Sequence, residues 1–259
     1  MKKVADDVLA AKLVASFLGK LSKSEVTYAQ FMEDHILSRY LWRVVNGFYV
    51  DVGCNDPDEL SVTKYFYEKG WRGINIDPLP NEIAKYARRR PRDTTYCRAV
   101  SDHTGRMDLF GEDSGATLNE EEAQKRGIAK SGVVRVDTLS NILDAATLPD
   151  DIHFLKIDVE NHEREVLAGI DFQRHRPWMM VVEATLPTTS IPCHDQWEHI
   201  LLENGYVYLA THEINRYYCA QEKREELVSD YLAAPVRFVL TEEQHITTQW
   251  GVALLLKNI

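Results

Sequence analysis

The chain has 259 residues, and its 40 acidic residues outnumber its 30 basic residues, which leaves a formal charge of −10. This balance argues against a nucleic-acid-binding face, and no apolar run is long enough to cross a membrane. The length fits one α/β domain over residues 47–259, preceded by a helical extension over residues 1–46. The four cysteines show no CxxC spacing, so we expect reduced thiols in a cytoplasmic protein and no structural zinc.

The first half of the chain alternates between helix-like and strand-like segments. Helical spacing of apolar residues predicts an amphipathic helix over residues 4–18 and a second helix over about residues 26–45. There follow FYVDVG, a helix over residues 62–68, GINID, a helix over residues 81–89 that ends in three arginines, and TTYCRAVS. The arginines 88–90 are interpreted as the solvated end of that helix. This order predicts a mostly parallel sheet with helices on both faces, as in Rossmann-like folds.

Residues 101–132 interrupt this alternation with charges and glycines, which predicts a hairpin followed by a mobile loop that covers a site. Order resumes at VVRVDTL and a short helix that ends near Ala145. The segments IHFLKID and PWMMVVEA are near-continuous apolar runs, as expected of central parallel strands. A helix over residues 195–203 and the strand-like segments YVYLA, NRYYCA and VRFVL complete an α/β fold.

Two strand ends predict a nucleoside-binding site. YVDVGCN places Asp51 and Gly53 at the end of the first strand, and GINID ends the next strand at Asp77, where an acid can accept hydrogen bonds from both ribose hydroxyls. The glycine pattern GxGxxG, which brings helix amides to a pyrophosphate, is missing. Asp56 and Asp58 stand in its place and would repel phosphate. A phosphate-free adenosine compound with a positive centre, S-adenosylmethionine, therefore fits best.

Four carboxylates are predicted at strand ends, and together they require a bound positive charge, although any single one could instead cap a helix. They are Asp51, Asp77, Asp158 and Glu183. Lys156 lies within the strand that ends at Asp158, so we expect a buried lysine paired with that carboxylate. His162 follows at the start of a helix and is the best candidate for a general base, with a capping or surface role as the alternative.

Two other functions remain open at this point. Asp56-Pro57-Asp58 has the DxD spacing with which glycosyltransferases hold a metal ion and a nucleotide diphosphate, but this spacing occurs often by chance and here follows the glycine turn directly. A non-catalytic protein that kept the cofactor-binding fold is the second alternative. Acids at all four strand ends argue against it.

Several ordered blocks of the chain resemble the FkbM family of methyltransferases, whose members depend on S-adenosylmethionine and mostly O-methylate sugars or secondary metabolites. The blocks are YVDVGCNDP, TKYFYEKGWRGINIDPLP, LKIDVENHEREVL and RPWMMVVEA. TYAQFMED and EINRYYC resemble segments of the polysaccharide-cluster branch of that family. The resemblance covers residues 25–240 and implies a class I methyltransferase fold.

This resemblance also implies roles for individual residues. It places the cofactor against Asp51, Gly53 and Asn55, with Asp77 on the ribose and Ser101 and Asp102 near the adenine. Asp158 would lie by the methionine end and face the acceptor. Where the family usually has a glycine, this chain has Asn161, which tolerates left-handed backbone geometry.

A sugar hydroxyl is a weak acid, so its methylation needs a base or a metal ion. We consider two versions of the reaction: His162 acts as the base without metal, or Asp158 and Glu183 bind Mg²⁺ and His162 assists.

The acceptor is expected to be a nucleotide sugar, a glycan or another small molecule. The family resemblance favours Asn215 and Arg216 as acceptor contacts. Because strand side chains alternate, Asn215 and Tyr217 should share one face, and Arg216 and Tyr218 the other. Residues of the N-terminal segment are expected to close over the site: Tyr28, Gln30, Glu33 and Asp34.

Overall fold

The computed structural model describes residues 25–235, 238–240, 245–248 and 253–255. The first predicted helix, over residues 4–18, lies outside the described residues. The strands, in chain order, are β1 (Glu25–Val26), β2 (Phe48–Val52), β3 (Arg72–Asp77), β4 (Thr94–Cys97), β5 (Ala99–Val100), β6 (Gly105–Phe110), β7 (Lys130–Asp137), β8 (Phe154–Ile157), β9 (Met179–Glu183), β10 (Tyr206–His212), β11 (Asn215–Ala220), β12 (Phe238–Leu240), β13 (His245–Thr248) and β14 (Ala253–Leu255).

Eight α-helices fall within the described ranges. They are α1 (Glu33–Tyr40), α2 (Lys64–Glu68), α3 (Pro80–Arg89), α4 (Glu120–Arg126), α5 (Leu139–Asp144), α6 (Glu163–Ala168), α7 (Glu198–Glu203) and α8 (Arg224–Ala233). None of them has the length and apolar character that a bilayer span needs.

A seven-stranded sheet in the order β10-β11-β9-β8-β2-β3-β4 forms the centre of the fold. The five strands from β9 to β4 are parallel, β11 runs antiparallel to β9, and β10 runs antiparallel to β11. The chain moves outward from β2 to β4 and then returns to the other side of β2 at β8. The strand order therefore reverses between β2 and β8, which is where such sheets bind ligands.

Helices cover both faces of the sheet, as the sequence predicts. Alternation along β2 sends Val50 and Val52 into one apolar cluster and Tyr49 into the other. Residues of α5, α6 and α7 pack in the first cluster, and residues of α1, α2 and α8 pack in the second. This layered arrangement confirms the Rossmann-like α/β fold.

The predicted helix over about residues 26–45 is shorter in the structure, where α1 covers only Glu33–Tyr40. Thr27 Oγ1 and the Tyr28 N–H both donate to the Asp34 carboxylate, at 2.7 and 2.8 Å. Met32 then takes a left-handed backbone conformation with φ 64°. The chain therefore folds back in a tight turn before α1 begins, because Asp34 binds the residues that would otherwise continue the helix.

The segment 101–132 contains more regular structure than the sequence predicts. The expected hairpin is formed by β6 and β7, which pair antiparallel, and β7 also pairs with β5 in a three-stranded sheet. The predicted loop contains α4, which is capped by the Asn119 side chain and ends at Gly127 with φ 67°. The sequence pattern does not indicate this helix, because most of its residues are charged or polar and face solvent.

The interpretation of the arginine triplet is wrong for one residue. Arg90 is only 2% exposed and donates to the Pro57 carbonyl and to Ser61 Oγ, the latter at 3.0 Å. Arg89 is exposed and pairs with Asp58. Arg90 thus fastens the end of α3 to the loop that follows β2.

Candidate active site

A cleft of about 230 Å³ lies at the point where the strand order reverses. The ends of β2, β3 and β8 form its floor, and Gly53, Asn55, Asp77, Asp158 and His162 all lie on its lining. The segment between β6 and α4 lines the opposite side with Asp113, Ser114, Ala116 and Leu118. The structure thus brings together three of the six residues that the sequence assigns to the cofactor, namely Gly53, Asn55 and Asp77.

Gly53 lets the loops after β2 and β8 touch. Its backbone has φ +75°, and a Cβ atom built on it would lie 1.8 Å from the Asp158 carbonyl oxygen. Its N–H donates to the Ile76 carbonyl at 2.9 Å, which ties the turn to β3 as well. Only glycine fits this conformation and this contact.

Asp77 closes β3 and is 6% exposed. Its Oδ2 accepts from the Asn55 N–H at 3.0 Å, and its Oδ1 accepts from the Leu79 N–H at 2.9 Å. Burial raises the pKa of this carboxyl, although these two N–H groups oppose the rise. Each carboxylate oxygen retains a second lone pair, so Asp77 can still accept from a ribose hydroxyl.

Lys156 is the buried cation of the site. Its Nζ donates to the Gly53 carbonyl at 2.7 Å and lies 3.5 Å from Asp51 Oδ1 and 3.4 Å from Asp158 Oδ2. Burial alone would lower the pKa of Lys156, but Asp158 and Asp51 outweigh burial and raise it. The predicted pairing of Lys156 with Asp158 is confirmed.

Asp51 does not lie on the cleft lining. It is 2% exposed, accepts from Thr63 Oγ1 at 3.2 Å, and faces Lys156. Burial raises the pKa of Asp51, whereas Lys156 lowers it. Asp51 thus contacts the cleft through Lys156, which in turn contacts Asp158 and Gly53.

Four further carboxyl groups surround Asp158, and burial raises the pKa of each. The pKa values rise to about 7 for Glu33, about 7 for Glu160, about 8 for Glu163 and about 11 for Glu183. The negative charge of Asp158 adds to the rise in every case. A cation bound beside Asp158 would oppose these shifts, because it favours the ionised carboxylates.

The two predicted magnesium ligands, Asp158 and Glu183, are hydrogen-bonded to each other. Glu183 is 5% exposed and lies off the cleft lining, and burial together with Asp158 holds its carboxyl protonated at neutral pH. A protonated carboxyl is a poor ligand for a hard cation. Within the described ranges, no group of three or more His, Cys, Asp or Glu side chains is arranged to hold a metal ion. The magnesium site at Asp158 and Glu183 stays a prediction.

His162 lines the cleft beside Ser101. Its Nε2 is within hydrogen-bond distance of Ser101 Oγ at 3.1 Å, and its Nδ1 is 3.5 Å from Glu165 Oε2. Burial lowers the pKa of His162, although Glu165 opposes the shift. Ser101 itself is fully buried, and the exposed Asp102 pairs with His103 at 2.7 Å, so neither lines the cleft. Ala99 and Val100, just before them, provide the lining instead.

A second, smaller pocket of about 30 Å³ shares Gln30, Leu60, Lys156 and Asp158 with the main cleft. We call it the acceptor pocket; its other lining residues are Glu33, Val62, Val181, Ile214 and Asn215. Asn215 Nδ2 donates to Glu33 Oε1 at 2.8 Å and thereby joins β11 to α1. Leu60 is 61% exposed at the shared mouth and offers an apolar contact there.

Two of the predicted acceptor contacts lie elsewhere. Arg216 pairs with Glu198 at 3.2 Å, and Tyr218 OH donates to the same carboxylate at 2.8 Å. Arg216 and Tyr218 thus share the face opposite Asn215, as alternation predicts, and Arg216 cannot reach the acceptor pocket. Tyr28 OH donates to Glu68 at 2.7 Å, and Tyr28 does not line either cavity.

The turn after β8 carries residues whose role the sequence does not reveal. Glu160 and Asn161 have left-handed backbones with φ 57° and 70°, so Asn161 keeps the geometry for which the family usually has glycine. Glu160 pairs with Arg126 at 2.9 Å, and Asn161 Nδ2 donates to Glu122 at 3.2 Å. These contacts hold α4, and with it the segment over the cleft, against the turn.

The chain was compared with known proteins. The family model described as "Methyltransferase FkbM domain" matches residues 51–208. No curated protein sequence matches the chain significantly. Similar solved structures include a TehB-like SAM-dependent methyltransferase from Corynebacterium glutamicum, with 8% identity, a TM-score of 0.41, and coverage of 83% of this chain and 99% of that chain.

Two further structures are magnesium protoporphyrin IX methyltransferase from Synechocystis with bound SAM and precorrin-6y C5,15-methyltransferase from Geobacter metallireducens. The first has 13% identity and a TM-score of 0.40, and the match covers 72% of this chain and 76% of that chain. The second has 11% identity and a TM-score of 0.40, with coverage of 77% and 94%.

The family match spans more than half of the chain and includes the end of β2 together with β3 and β8, the three strands whose ends form the floor of the cleft. The chain therefore belongs to the FkbM family of S-adenosylmethionine-dependent methyltransferases.

Proposed function

We propose that this protein transfers a methyl group from S-adenosylmethionine to a hydroxyl group of a sugar. The observation that carries the proposal is the acceptor pocket, which opens from the cofactor cleft at Asp158 and is lined by the hydrogen-bonding side chains of Gln30 and Asn215. Amide and carboxyl groups of this kind recognise hydroxyl-rich molecules. The pocket admits only the reacting part of such an acceptor, and the remainder would lie outside its mouth.

In this proposal, Asp77 binds the ribose, the backbone of residues 53–55 approaches the nucleoside, and Ala99 and Val100 contact the adenine. His162, bound to Ser101, supports that side of the cleft. The cofactor supplies an electrophilic methyl group on a positively charged sulfur. Asp158 lies on the lining of both cavities, so its carboxylate faces that charge and the incoming acceptor.

The glycosyltransferase alternative is disfavoured by the partners of its two acids. Asp56 Oδ2 pairs with Lys85 at 2.7 Å, and its Oδ1 accepts from the Asp58 and Glu59 N–H groups. Asp58 pairs with Arg89 and with Lys64, the latter at 3.1 Å. Both carboxylates are thus engaged by separate partners and do not converge on a metal position.

A methyl-transfer assay tests the proposal. The panel contains nucleotide sugars, free oligosaccharides and finished glycans, each assayed with added Mg²⁺ and with a chelator. We expect a methyl ether on at least one saccharide and equal rates under both conditions, because Lys156 already places a positive charge 3.4 Å from the Asp158 carboxylate. Methylation of amines or carboxylates without any saccharide product would contradict the proposal.

Cofactor binding is expected to release protons. The carboxyl groups of Glu33, Glu160 and Glu163, with pKa values raised to about 7 or 8, are partly protonated at neutral pH. A bound sulfonium favours their ionised forms, so affinity should rise as the pH rises from 6 to 8. Calorimetry in buffers of different ionisation enthalpy measures the release. S-adenosylhomocysteine, which has a neutral sulfur, is the matched control, and equal release by both ligands would refute this expectation.

A further inference from the structure

Glu33 opens helix α1 and lines the acceptor pocket together with Lys156 and Asp158. Its side chain is 3% exposed, so solvent reaches it mainly through that pocket. This placement depends on the tight turn before α1, where Met32 has a left-handed backbone conformation. The turn brings the first residue of the helix toward the ends of the central strands.

Two hydrogen bonds fix the Glu33 carboxyl group. Oε1 accepts from Asn215 Nδ2 at 2.8 Å, and Oε2 accepts from the Phe31 N–H at 2.7 Å. Each oxygen keeps one further lone pair. An acceptor hydroxyl in the pocket would therefore meet a carboxylate that is already oriented and needs no rearrangement to accept a proton.

We propose that Glu33 is the general base of methyl transfer, a role that rests on the proposed function. The acceptor oxygen forms a bond to the methyl carbon while the carbon–sulfur bond breaks, and that electron pair remains on sulfur as a neutral thioether. The hydroxyl proton passes to the Glu33 carboxylate and leaves to solvent after the product departs. Charge and atoms balance without a metal ion or a co-reactant.

The electrostatic surroundings of Glu33 suit this role. Burial, with smaller contributions from Asp34 on the same helix and Asp158 at the end of β8, raises its pKa to about 7, although the backbone N–H groups of Glu33 and Phe31 lower it. Lys156 is the cation on the same pocket lining, and Tyr217 faces Glu33 from β11. A carboxyl group whose pKa lies near the working pH is ionised in much of the protein and still has a high affinity for the acceptor's proton.

The other acid–base candidates lack this geometry. His162 lies on the cofactor cleft beside Ser101 but is absent from the lining of the acceptor pocket. Glu183 lies off both linings. Asp158 reaches the pocket, but its carboxylate is engaged by Lys156 at 3.4 Å.

Kinetics of Glu33→Gln, with His162→Gln and Glu160→Gln as matched controls, test the proposal. Glu160 also has a pKa raised to about 7, but it pairs with Arg126 and lines only the cofactor cleft. We expect Glu33→Gln to lower kcat by about 10²–10⁴-fold and to abolish the rise of kcat with pH that ionisation of Glu33 causes. Both controls should keep that rise, and the affinity of Glu33→Gln for S-adenosylhomocysteine should stay unchanged. Loss of the rise in His162→Gln, with its retention in Glu33→Gln, would overturn the proposal.

A second measurement does not depend on the acceptor. In protein labelled with ¹³C at the glutamate carboxyls, the resonance that is missing from Glu33→Gln should titrate near neutral pH. Titration near the ordinary value of about 4.3 would overturn the proposal, since such a carboxylate is too weak a base. If no saccharide in the panel is methylated, the proposed function fails, while this titration still decides whether Glu33 has the required ionisation.

Discussion

Replacing Gly53 by alanine is expected to abolish cofactor binding and to lower the free energy of unfolding by about 2–5 kcal/mol. The new Cβ atom would meet the Asp158 carbonyl oxygen at 1.8 Å, and alanine would also have to adopt φ +75°. The loops after β2 and β8 must then move apart. Because both loops line the cleft, their separation would remove the surface that binds S-adenosylmethionine.

Two glycine variants separate the causes of this effect. Gly127→Ala keeps a positive φ of +67° but meets no atom within 4 Å, so it should show only the backbone cost of about 1–2 kcal/mol. Gly132 has neither a positive φ nor an atom close to an added Cβ, so Gly132→Ala should change the free energy of unfolding by no more than about 0.5 kcal/mol. Chemical denaturation and calorimetry with S-adenosylhomocysteine measure both quantities. Normal binding by Gly53→Ala would show that the two loops can separate without harm.

Replacing Lys156 by methionine is expected to lower the free energy of unfolding by about 3–5 kcal/mol at neutral pH. The change leaves Asp51 buried without its cation and leaves the Gly53 carbonyl without its 2.7 Å donor. In the variant the folded-state pKa of Asp51 rises further, so the folded protein binds its proton more tightly than the unfolded chain. The loss in free energy of unfolding caused by Lys156→Met should therefore grow as the pH rises above the ordinary pKa of aspartate and shrink at acidic pH.

Urea unfolding of Lys156→Met between pH 4.5 and 8 measures this dependence. Lys130→Met is the matched control, because Lys130 pairs with Asp108 at 2.7 Å while both side chains are 48% exposed, and it should cost no more than about 1 kcal/mol. Adding Asp51→Asn to Lys156→Met removes the uncompensated charge and should recover much of the lost stability. A deficit that does not change with pH would show that lost packing, and not charge, dominates.

The sequence predicts the donor half of the site well, because strand periodicity and strand ends are local signals. Gly53, Asp77 and Asp158 were placed correctly at the ends of β2, β3 and β8, since parallel strands bring their carboxyl ends to one edge of the sheet. The alternation of side chains along a strand also correctly predicts that Asn215 and Arg216 lie on opposite faces of β11. Such periodicity cannot tell a residue that lines the cleft from one just behind it, as Asp51 and Ser101 demonstrate.

The acceptor side could not be predicted to the same degree. Glu33 and Asn215 meet across 182 residues of sequence, and no local pattern encodes that contact. The sequence also does not show which carboxyl groups near Asp158 are protonated, because their pKa values depend on how many carboxyl groups the fold buries together. For Glu183, burial raises the pKa to about 11, which its position at the end of β9 does not indicate.

Three of the polar side chains that line the acceptor pocket come from outside the range that matches the family model. Residues 51–208 match the family model and contain the donor-binding strand ends, whereas Gln30, Glu33 and Asn215 lie on either side of that range. A chimera that exchanges residues 25–46 and 213–220 for those of a homologue would then change which hydroxyl is modified while donor affinity is retained. Under the proposed function, acceptor choice would then depend on the two flanks of the family match, and the strand ends within the match would hold the methyl donor.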